Sequence, residues 1–551
     1  MDVTIDNFEQ ILPEIKQKIE ECTFCSIDCE LTGITQYKNL NSFDTPRIRY
    51  EKIKNNDNNF LILQFGLCLF KYNEGDKSYE TNAYNCYLFP RSVNCKYSRD
   101  LSFSCLNSSL EFLIEQNFDF NKVFKKGVSF VSKDQEEILR HKLELDLEER
   151  SIPKGTLYPS KKEFHQQIDT LMTEIDEFVQ NENETRKEIK FTEFVVRIFI
   201  EKNIRQKYQK RLKYENKFLE NKERLMTITK VDSLDIKSDL DDFEKEIGFS
   251  RLIWFLSQSQ KLIIGHNMMT DVMQILRQFF TSPLPENFED FKSMTNSLFP
   301  KILDTKYMAS VPPLKELVTN TTLGDMDKIL SKDPFPTIKI ENDVYSVNDE
   351  KLHEAGYDAY LTGCCYARMM HYLESLKGSR STFEEFYINR LYLMKSFDTI
   401  YIDLKNFQEE PKRDNVFYLE FPSSWETQDL YDLFSAYGPI FIGWINDRSA
   451  FVGLQNADNA KKAAGQLVGV SGREYKVYFY STFINQKNKS ALGEKKENGK
   501  NKQIDKRKRN KGGTNQGAET TSDESSELKK VKTEENGSVN IEKPFEQNAD
   551  W

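Results

Sequence analysis

The stretch FCSIDCELTGI, residues 24–34, decides the fold, because it sets two acids into an otherwise apolar run. Its alternation predicts a β-strand, in which every second side chain shares a face. One face points into the core and carries Cys25, Ile27, Cys29 and Leu31. Asp28 and Glu30 share the other face with Ser26, where burial would make the two carboxylates repel each other. A pair of bound Mg²⁺ or Mn²⁺ ions is the simplest way to neutralise the two carboxylates. A solvated edge strand, however, carries the same Asp-x-Glu pattern.

Two further segments add acids beside predicted helix starts. In KLIIGHNMMTDVMQ, residues 261–274, a buried strand ends at Asn267, which we expect to cap a helix that carries Asp271 one turn later. In LHEAGYDAYLTG, residues 352–363, His353 is predicted on a loop and Asp358 in the first turns of the next helix. Each residue alone has an ordinary explanation, such as the attraction of an Asp to the helix dipole. Four acids and one histidine in this order favour a shared site.

The rest of the chain divides by pattern into five parts. Residues 1–160 read as a helix followed by strands, among them FLILQFGLCLF at 60–70 and AYNCYLFP at 83–90. Residues 161–247 form a small inserted α/β module, and the first fold resumes over 248–410. Residues 411–482 read as strand, helix, strand, strand, helix, strand, and 483–551 are predicted to be disordered.

Composition limits the class of protein. The chain has 551 residues, 38% of them apolar, so several domains with sizeable cores are expected. It has neither an apolar run long enough for a membrane helix nor a secretory signal, so we expect no membrane association and read the nine cysteines as reduced thiols. The net charge of −10 does not indicate a nucleic-acid-binding protein, but a net charge can hide a local basic surface.

One such surface is predicted in the inserted module. Basic residues there alternate with Tyr208 and Tyr214, and the cluster comprises Arg205, Lys207, Lys210, Arg211 and Lys213. These side chains could contact an RNA backbone. A solvated helix face explains them at least as well.

The order Asp-x-Glu, Asn-x-x-x-Asp, His-x-x-x-x-Asp resembles the DEDDh 3′→5′ exonucleases, which have the RNase H-like α/β fold. Longer phrases resemble one branch of these enzymes, the poly(A)-specific ribonucleases or deadenylases. They include SIDCELTGI, LQFGLCLFKY, IGHNMMTDVMQ, LHEAGYDAYLTG and DLYDLFSAYGPI, and the likeness covers roughly residues 1–455. The resemblance implies an RNase H-like exonuclease domain with an inserted module, then an RRM-like (RNA-recognition-motif) domain and a disordered tail.

The resemblance also implies roles for single residues. The metal-binding carboxylates are Asp28, Glu30, Asp271 and Asp358, which would hold two Mg²⁺ or Mn²⁺ ions, and His353 is the general base. Substrate contacts are implied for Ile34, Asn267 and Lys306. The implied reaction releases 5′-AMP from the 3′ end of a poly(A) tail.

In the RRM-like domain, Tyr418 and Phe451 occupy the two expected base-stacking positions, while Ser449 replaces a third aromatic residue. The family binds the 5′ cap of mRNA through a tryptophan on the second strand of this domain, and Trp444 matches it. An indole suits a positively charged methylated guanine. The alternative is that Trp444 is a partly buried packing residue.

Two departures from the family pattern stand out. The inserted module lacks the family's Arg-x-x-x-His motif, so RNA binding by the module is less secure than its presence. Leu31 follows the second acid where many members have Phe, which should alter packing near the substrate but leave the chemistry intact.

The resemblance further implies a homodimer, found in the nucleus and the cytoplasm. The block Lys506–Arg509 fits a nuclear localisation signal, or a non-specific RNA-binding arm. Two other functions stay open: an exonuclease that trims the 3′ ends of small non-coding RNAs, and a catalytically inert RNA- or cap-binding protein. The second is disfavoured, because none of the five site residues is missing.

Overall fold

The computed structural model describes most of the chain up to residue 484. The described ranges are 1–34, 40–56, 59–91, 101–151, 155–181, 183–191, 193–208, 212–218, 224–230, 234–342, 345, 352–376 and 379–484. The chain forms two compact units. The first comprises Met1–Leu40 and Asp44–Glu409, and the second comprises Asn41–Phe43 and the chain from Glu410 onward. The block Lys506–Arg509 lies outside the described residues, and so does the predicted disordered tail, 483–551, apart from its first two residues.

The first unit is built on a mixed nine-stranded sheet. The strands of this unit are β1 (Asp2–Val3), β2 (Phe24–Leu31), β3 (Ile62–Asn73), β4 (Ser78–Tyr87), β5 (Arg186–Phe191), β6 (Leu212–Phe218), β7 (Arg224–Lys230), β8 (Ile263–Gly265), β9 (Ile302–Asp304), β10 (Lys339–Asn342), β11 (Arg390–Tyr392) and β12 (Tyr401–Asp403). The sheet order is β1-β4-β3-β2-β8-β9-β11-β12, and β10 also pairs with β4. The predicted strand β2 is thus central, antiparallel to β3 and parallel to β8. The strands predicted at 60–70 and 83–90 are confirmed as β3 and β4.

Helices cover both faces of this sheet. The helices of the unit are α1 (Phe8–Glu21), α2 (Pro46–Asn56), α3 (Asn107–Glu115), α4 (Phe120–Lys126), α5 (Lys133–Ser151), α6 (His165–Gln180), α7 (Phe194–Lys207), α8 (Leu234–Ile247), α9 (Ser250–Ser259), α10 (Met269–Phe279), α11 (Phe288–Leu298), α12 (Thr305–Ala309), α13 (Leu323–Leu330), α14 (Ala355–Ser375) and α15 (Arg380–Tyr387). On one face α1, α9 and α10 pack over a core that includes Ile27 and Phe65. On the other, α14 packs over Phe24, Phe70 and Tyr79.

The alternation in β2 works as predicted. Cys25, Ile27 and Leu31 are buried in the core on the α10 side, and Ser26 donates a hydrogen bond to the carbonyl of Ala359 in α14 (2.6 Å). Cys29 is only half-buried, although it packs against the same core. The described cysteines are free thiols, as the composition predicted.

The inserted module has a core of its own. Strands β5, β7 and β6 form a three-stranded antiparallel sheet, and α6 and α7 pack against it through Ile175, Ile200 and Met226. This confirms the predicted α/β character of the module, although the sequences of β5 and β6 give only a weak strand signal. Their sequences, RKEIKF and LKYENKF, carry charged residues on the face that is open to solvent, which hides the apolar alternation.

The second unit shows the predicted order of elements. Its strands are β13 (Val416–Glu420), β14 (Ile440–Asn446), β15 (Ser449–Leu454) and β16 (Lys476–Phe479), and its helices are α16 (Thr427–Phe434) and α17 (Ala457–Leu467). The antiparallel sheet runs β14-β15-β13-β16, with both helices packed on one face through Leu430, Phe434 and Ala463. Across the described residues of both units, no helix is long and apolar enough to pass through a membrane.

Candidate active site

The structure brings the five predicted residues of the site together. Asp28 and Glu30 lie at the end of β2 on the face toward α14, Asp271 is in the first turn of α10, and Asp358 is in the first turn of α14. Ligand atoms of Glu30, His353 and Asp358 all lie within 4.8 Å of one another. Asp28 and Asp271 belong to the same cluster, because their charges act on Glu30 as well.

The acids strongly disfavour each other's ionised forms. Burial raises the pKa of Asp28 to about 7. Burial first, and then the charge of Asp28, raises the pKa of Glu30, Asp271 and Asp358 well above the ordinary range. Four carboxylates this close cannot all be ionised at neutral pH without positive charge between them.

The residues fit a divalent metal centre. One carboxylate oxygen of Asp358 accepts a hydrogen bond from the backbone amide of His353 (3.0 Å). Its other oxygen, Oδ1, is buried and has no hydrogen-bond partner among the described residues. A buried oxygen of this kind is costly unless something binds it. Carboxylate oxygens are the ligands that Mg²⁺ and Mn²⁺ prefer.

His353 lies on the loop before α14, as predicted. The helix begins at Ala355 with Glu354 at its cap, and His353 has a left-handed backbone, with φ of 71°. The edge of the Phe112 ring meets the imidazole, with 4.7 Å between the centroids. Burial lowers the pKa of His353, so the imidazole is neutral at pH 7 and is able to accept a proton.

The prediction that Asn267 caps α10 is wrong. The helix starts at Met269 with Met268 at the cap, and Asn267 precedes it in a left-handed conformation, with φ of 56°. The buried carboxylate of Asp304 accepts hydrogen bonds from the backbone amides of Asn267 (2.9 Å) and Met268 (3.1 Å). The Asp304 carboxylate, from the neighbouring strand, thus holds the two residues that precede the first turn of α10.

Asp304 is a residue of this region that the sequence analysis missed. The same carboxylate accepts from the amides of Lys306 (3.0 Å) and Tyr392 (3.0 Å), so it joins the ends of β8, β9 and β11. The available signal was its place at the end of the strand in ILDTK, one residue before Thr305. Four amide donors satisfy both oxygens, which makes Asp304 a structural acid and not a metal ligand.

The predicted substrate contacts lie at the same edge of the sheet. Asn267 and Lys306 follow the parallel strands β8 and β9, and Ile34 follows β2, which pairs with β8. Lys306 is 4% exposed, with its ammonium 5.8 Å from the centroid of the Tyr392 ring. Their contact with RNA stays a prediction.

The expected stacking face of the second unit is covered by its own aromatic residues. Tyr418 and Phe451 are cross-strand partners on one face, and the Phe483 ring lies 4.3 and 5.2 Å from their centroids. Phe43 and Tyr480 also contact Phe451, at 5.8 and 5.3 Å, and leave it 8% exposed. Base stacking on these two rings stays a prediction, and it would require the covering rings to move.

Trp444 lies on the opposite face of the same sheet. It pairs with the buried Ala450 and meets Phe421 edge-on, with 5.5 Å between the ring centroids. The side chain is nevertheless 39% exposed. Packing therefore accounts for one edge of the indole and leaves part of its surface open to solvent.

The basic cluster of the inserted module is largely engaged within the module. Lys207 forms an ion pair with Asp176 (2.6 Å), which also accepts a hydrogen bond from Tyr208. Arg205 donates to the hydroxyl of Tyr214 (2.7 Å). Two other predicted members, Lys210 and Arg211, lie outside the described residues. Arg205 and Lys207 therefore support the module's own fold more directly than an RNA surface, whereas Lys213 is exposed.

Comparison with known proteins agrees with this geometry. Residues 3–366 match the CAF1 family ribonuclease domain, and residues 407–486 match an RNA binding domain. The first match spans both stretches of the nuclease fold and the module between them. It covers more than half of the chain.

Relatives extend the match to nearly the whole chain. Poly(A)-specific ribonuclease PARN of Xenopus laevis is 36% identical over 530 residues, which are 90% of this chain and 83% of that protein. The Homo sapiens protein of the same name is 36% identical over 526 residues, or 88% and 81%. Among solved structures, S. pombe Pop2p with Mg²⁺ and Mn²⁺ bound is 15% identical, with a TM-score of 0.31, covering 66% of this chain and 89% of Pop2p. This chain therefore belongs to the CAF1 ribonuclease family and is a relative of the poly(A)-specific ribonucleases.

Proposed function

We propose that this protein is a poly(A)-specific 3′→5′ exoribonuclease that releases 5′-AMP from the 3′ ends of RNA tails. The cluster of Asp28, Glu30, Asp271 and Asp358 beside His353 carries the proposal. It lies within a chain that is 36% identical to poly(A)-specific ribonucleases over most of its length. An inert binding protein would have no use for four clustered acids that destabilise one another.

The four carboxylates would hold two divalent ions, and Mg²⁺ and Mn²⁺ both suit their oxygens. When bound, such ions supply the positive charge that activates a water molecule and stabilises the leaving 3′ oxygen. The neutral imidazole of His353 accepts the proton of the attacking water. Lys306 supplies a cation at the end of β9, where it would stabilise the negative charge of the scissile phosphate.

Cap binding is the role we propose for the second unit. Its support is Trp444, which is 39% exposed on the strand where the family has its cap-binding tryptophan. A positively charged methylated guanine is attracted to the face of an indole. Binding of the capped 5′ end would raise the local concentration of the same RNA's 3′ end near the nuclease, and so stimulate degradation.

Self-association is the proposal for an apolar surface of the first unit. A groove there is lined by Phe103, Cys105, Leu110, Ile114, Phe120 and Phe124, from α3, α4 and the segment before them. Ile114 is 62% exposed and Phe124 is 48% exposed. A contiguous apolar surface of this kind marks an interface, and a second copy of the chain is the partner we propose.

The proposed activity is tested with two 5′-labelled RNAs, one ending in about twenty adenosines and one ending in mixed sequence. Each is incubated with Mg²⁺ and with EDTA, and Asp28→Ala serves as the control. A Mg²⁺-dependent ladder on the adenosine tail alone, absent in the variant, establishes the deadenylase. Equal degradation of both tails leaves an exonuclease without adenosine specificity, such as a trimming enzyme. Full activity of Asp28→Ala would overturn the assignment of the site.

A further inference from the structure

The start of helix α14, which carries Asp358, sits on two buried amide side chains of the sheet. Gln64 lies on β3 directly opposite Glu30, and Asn85 lies on the next strand, β4. They are 1% and 0% exposed. We propose that Gln64 and Asn85 are positioning residues that set the place of Asp358 and His353 over the metal-binding acids. The inference rests on the proposed function.

Hydrogen bonds attach these two amides to the first residues of the helix. The side-chain oxygen of Gln64 accepts from the backbone amide of Ala355 (3.0 Å), and that of Asn85 accepts from the amide of Gly356 (3.2 Å). The first N–H groups of a helix have no partner inside it and must bind something else. Here the sheet provides the partners, so the helix start is held in register with the strands.

A third hydrogen bond extends this control to the loop of the general base. The Nδ2 of Asn85 donates to a carboxylate oxygen of Glu354 (2.9 Å), the residue that follows His353. The backbone amide of His353 in turn donates to Asp358 (3.0 Å). One connected network therefore runs from the sheet, through the loop, to a carboxylate of the site.

Amides suit this position better than acids would. Gln64 shares a sheet face with Glu30, because directly paired residues of antiparallel strands point the same way. A carboxylate at position 64 would add another negative charge to a cluster that already holds four acids. An amide oxygen accepts the N–H of Ala355 without that charge.

Gln278 provides a matched control for an ordinary buried amide. Its side-chain oxygen accepts from the backbone amide of Ile62 on β3 (2.8 Å), and the residue is 6% exposed. Gln64 and Gln278 thus each satisfy one buried backbone N–H of the same domain. Only Gln64 does so at the start of α14. If Gln64 served only stability, substitution of either glutamine would have the same effect on kcat and Mn²⁺ affinity.

The test compares Gln64→Met with Gln278→Met in the full-length protein. We expect Gln64→Met to lower kcat by about 10- to 100-fold, as loss of groups that orient metal ligands commonly does. KM for the RNA should stay within about two-fold, while Mn²⁺ binding, measured by calorimetry without RNA, should weaken by a factor similar to that for kcat. Gln278→Met should leave kcat and Mn²⁺ affinity unchanged even where it lowers the melting temperature equally.

The proposal would be overturned if Gln64→Met kept the kcat and Mn²⁺ affinity of the parent protein. It would also be overturned if Gln278→Met lost as much kcat and Mn²⁺ affinity as Gln64→Met. If Gln64→Met does not fold, Asn85→Ser replaces it in the same comparison. The double variant Gln64→Met/Asn85→Ser should lose less kcat than the product of the two single losses, because both residues act on one helix start. Mn²⁺ binding is read without turnover. Absence of any deadenylation by the parent protein would therefore refute the proposed function while the positioning role is still tested.

Discussion

Asp28 belongs to the proposed site and is also costly to the fold. Burial raises its pKa to about 7, and it repels Glu30, Asp271 and Asp358. Between the ordinary pKa of an aspartate and pH 7, the metal-free folded state therefore binds more protons than the unfolded state. By linkage, its stability falls as the pH rises through that range.

We expect the metal-free protein, in EDTA, to melt at a lower temperature at pH 7.5 than at pH 5.5. Asp28→Asn should weaken this dependence and raise the melting temperature at pH 7.5 by about 2 °C or more, because it removes one buried charge. It should also abolish activity. Asp447→Asn, at an exposed turn, is the control and should change neither property. A lower melting temperature for metal-free Asp28→Asn would contradict the account of the acid cluster.

His353 leads to a kinetic prediction. Burial lowers the pKa of the His353 imidazole below its ordinary value, and bound cations would act in the same direction. With saturating Mg²⁺, the acid limb of the kcat profile should therefore lie below pH 6.5. His353→Gln should lower kcat by about 100- to 10,000-fold with little change in KM. Single-turnover rates between pH 5 and 8 check both statements, and a limb above pH 6.5 would refute the first.

At the scale of elements, the site depends on how closely α14 approaches the sheet. Gly66, opposite Asp28 on β3, leaves room for the helix start, because a Cβ there would lie 1.8 Å from the carbonyl oxygen of Ala355. A second close approach occurs at Gly363, where a Cβ would lie 2.1 Å from the Phe70 ring. The helix is thus seated directly over the acids of β2.

Gly66→Ala should therefore destabilise the first unit by about 1–3 kcal/mol and reduce Mg²⁺-dependent activity, since the start of α14 must move away from Glu30. Gly465→Ala is the matched control. It lies on an exposed face of α17 with nothing within 4 Å of an added Cβ, and it should stabilise its helix by up to about 1 kcal/mol. Thermal unfolding of the two variants checks the opposite signs. A stable and fully active Gly66→Ala would contradict the close packing.

At the scale of the whole molecule, the sheet face of the second unit that usually binds RNA is covered by aromatic side chains. Phe43 and Phe483 occupy the face that carries Tyr418 and Phe451, whereas Trp444 is exposed on the opposite face. For a ligand that stacks on an aromatic ring, Trp444 is therefore more accessible than the usual RRM surface.

Trp444→Ala should abolish the stimulation of deadenylation by a 5′ cap and leave the rate on uncapped RNA unchanged. Phe441→Ala is the control, because Phe441 lies on the same strand, is 45% exposed and points to the other face. Rates on capped and uncapped RNAs of equal length provide the measurement. If Trp444→Ala retained cap stimulation, the assignment of Trp444 to the cap site would be refuted.

Assembly is the other property at this scale. Phe124→Glu places a charge in the apolar groove beside Ile114 and should convert the proposed dimer to a monomer. Phe407→Glu, at a residue that is 79% exposed elsewhere on the first unit, should leave assembly unchanged. Light scattering of the purified proteins distinguishes the outcomes. A monomeric parent protein would refute the proposed homodimer.

Local patterns of the sequence were enough to predict the main elements and the acids of the site. The period of two in β2 put Asp28 and Glu30 on one face, and the strand-to-helix breaks located Asp271 and Asp358. The strand and helix order of the second unit was predicted in the same way. These features depend on neighbours along the chain, whose apolar spacing is visible without a structure.

Only the tertiary structure decided which distant groups meet. Asp304 holds Asn267, just before α10, from 37 residues away. Gln64 and Asn85 hold a helix more than 250 residues later, and Phe43 covers a strand of the second unit. Each of these side chains is satisfied by a partner that packing brings near, and no local period encodes that partner. The sequence by itself therefore determined the main elements and the acids that they carry, whereas long-range packing decided how those acids are held and which surfaces stay open.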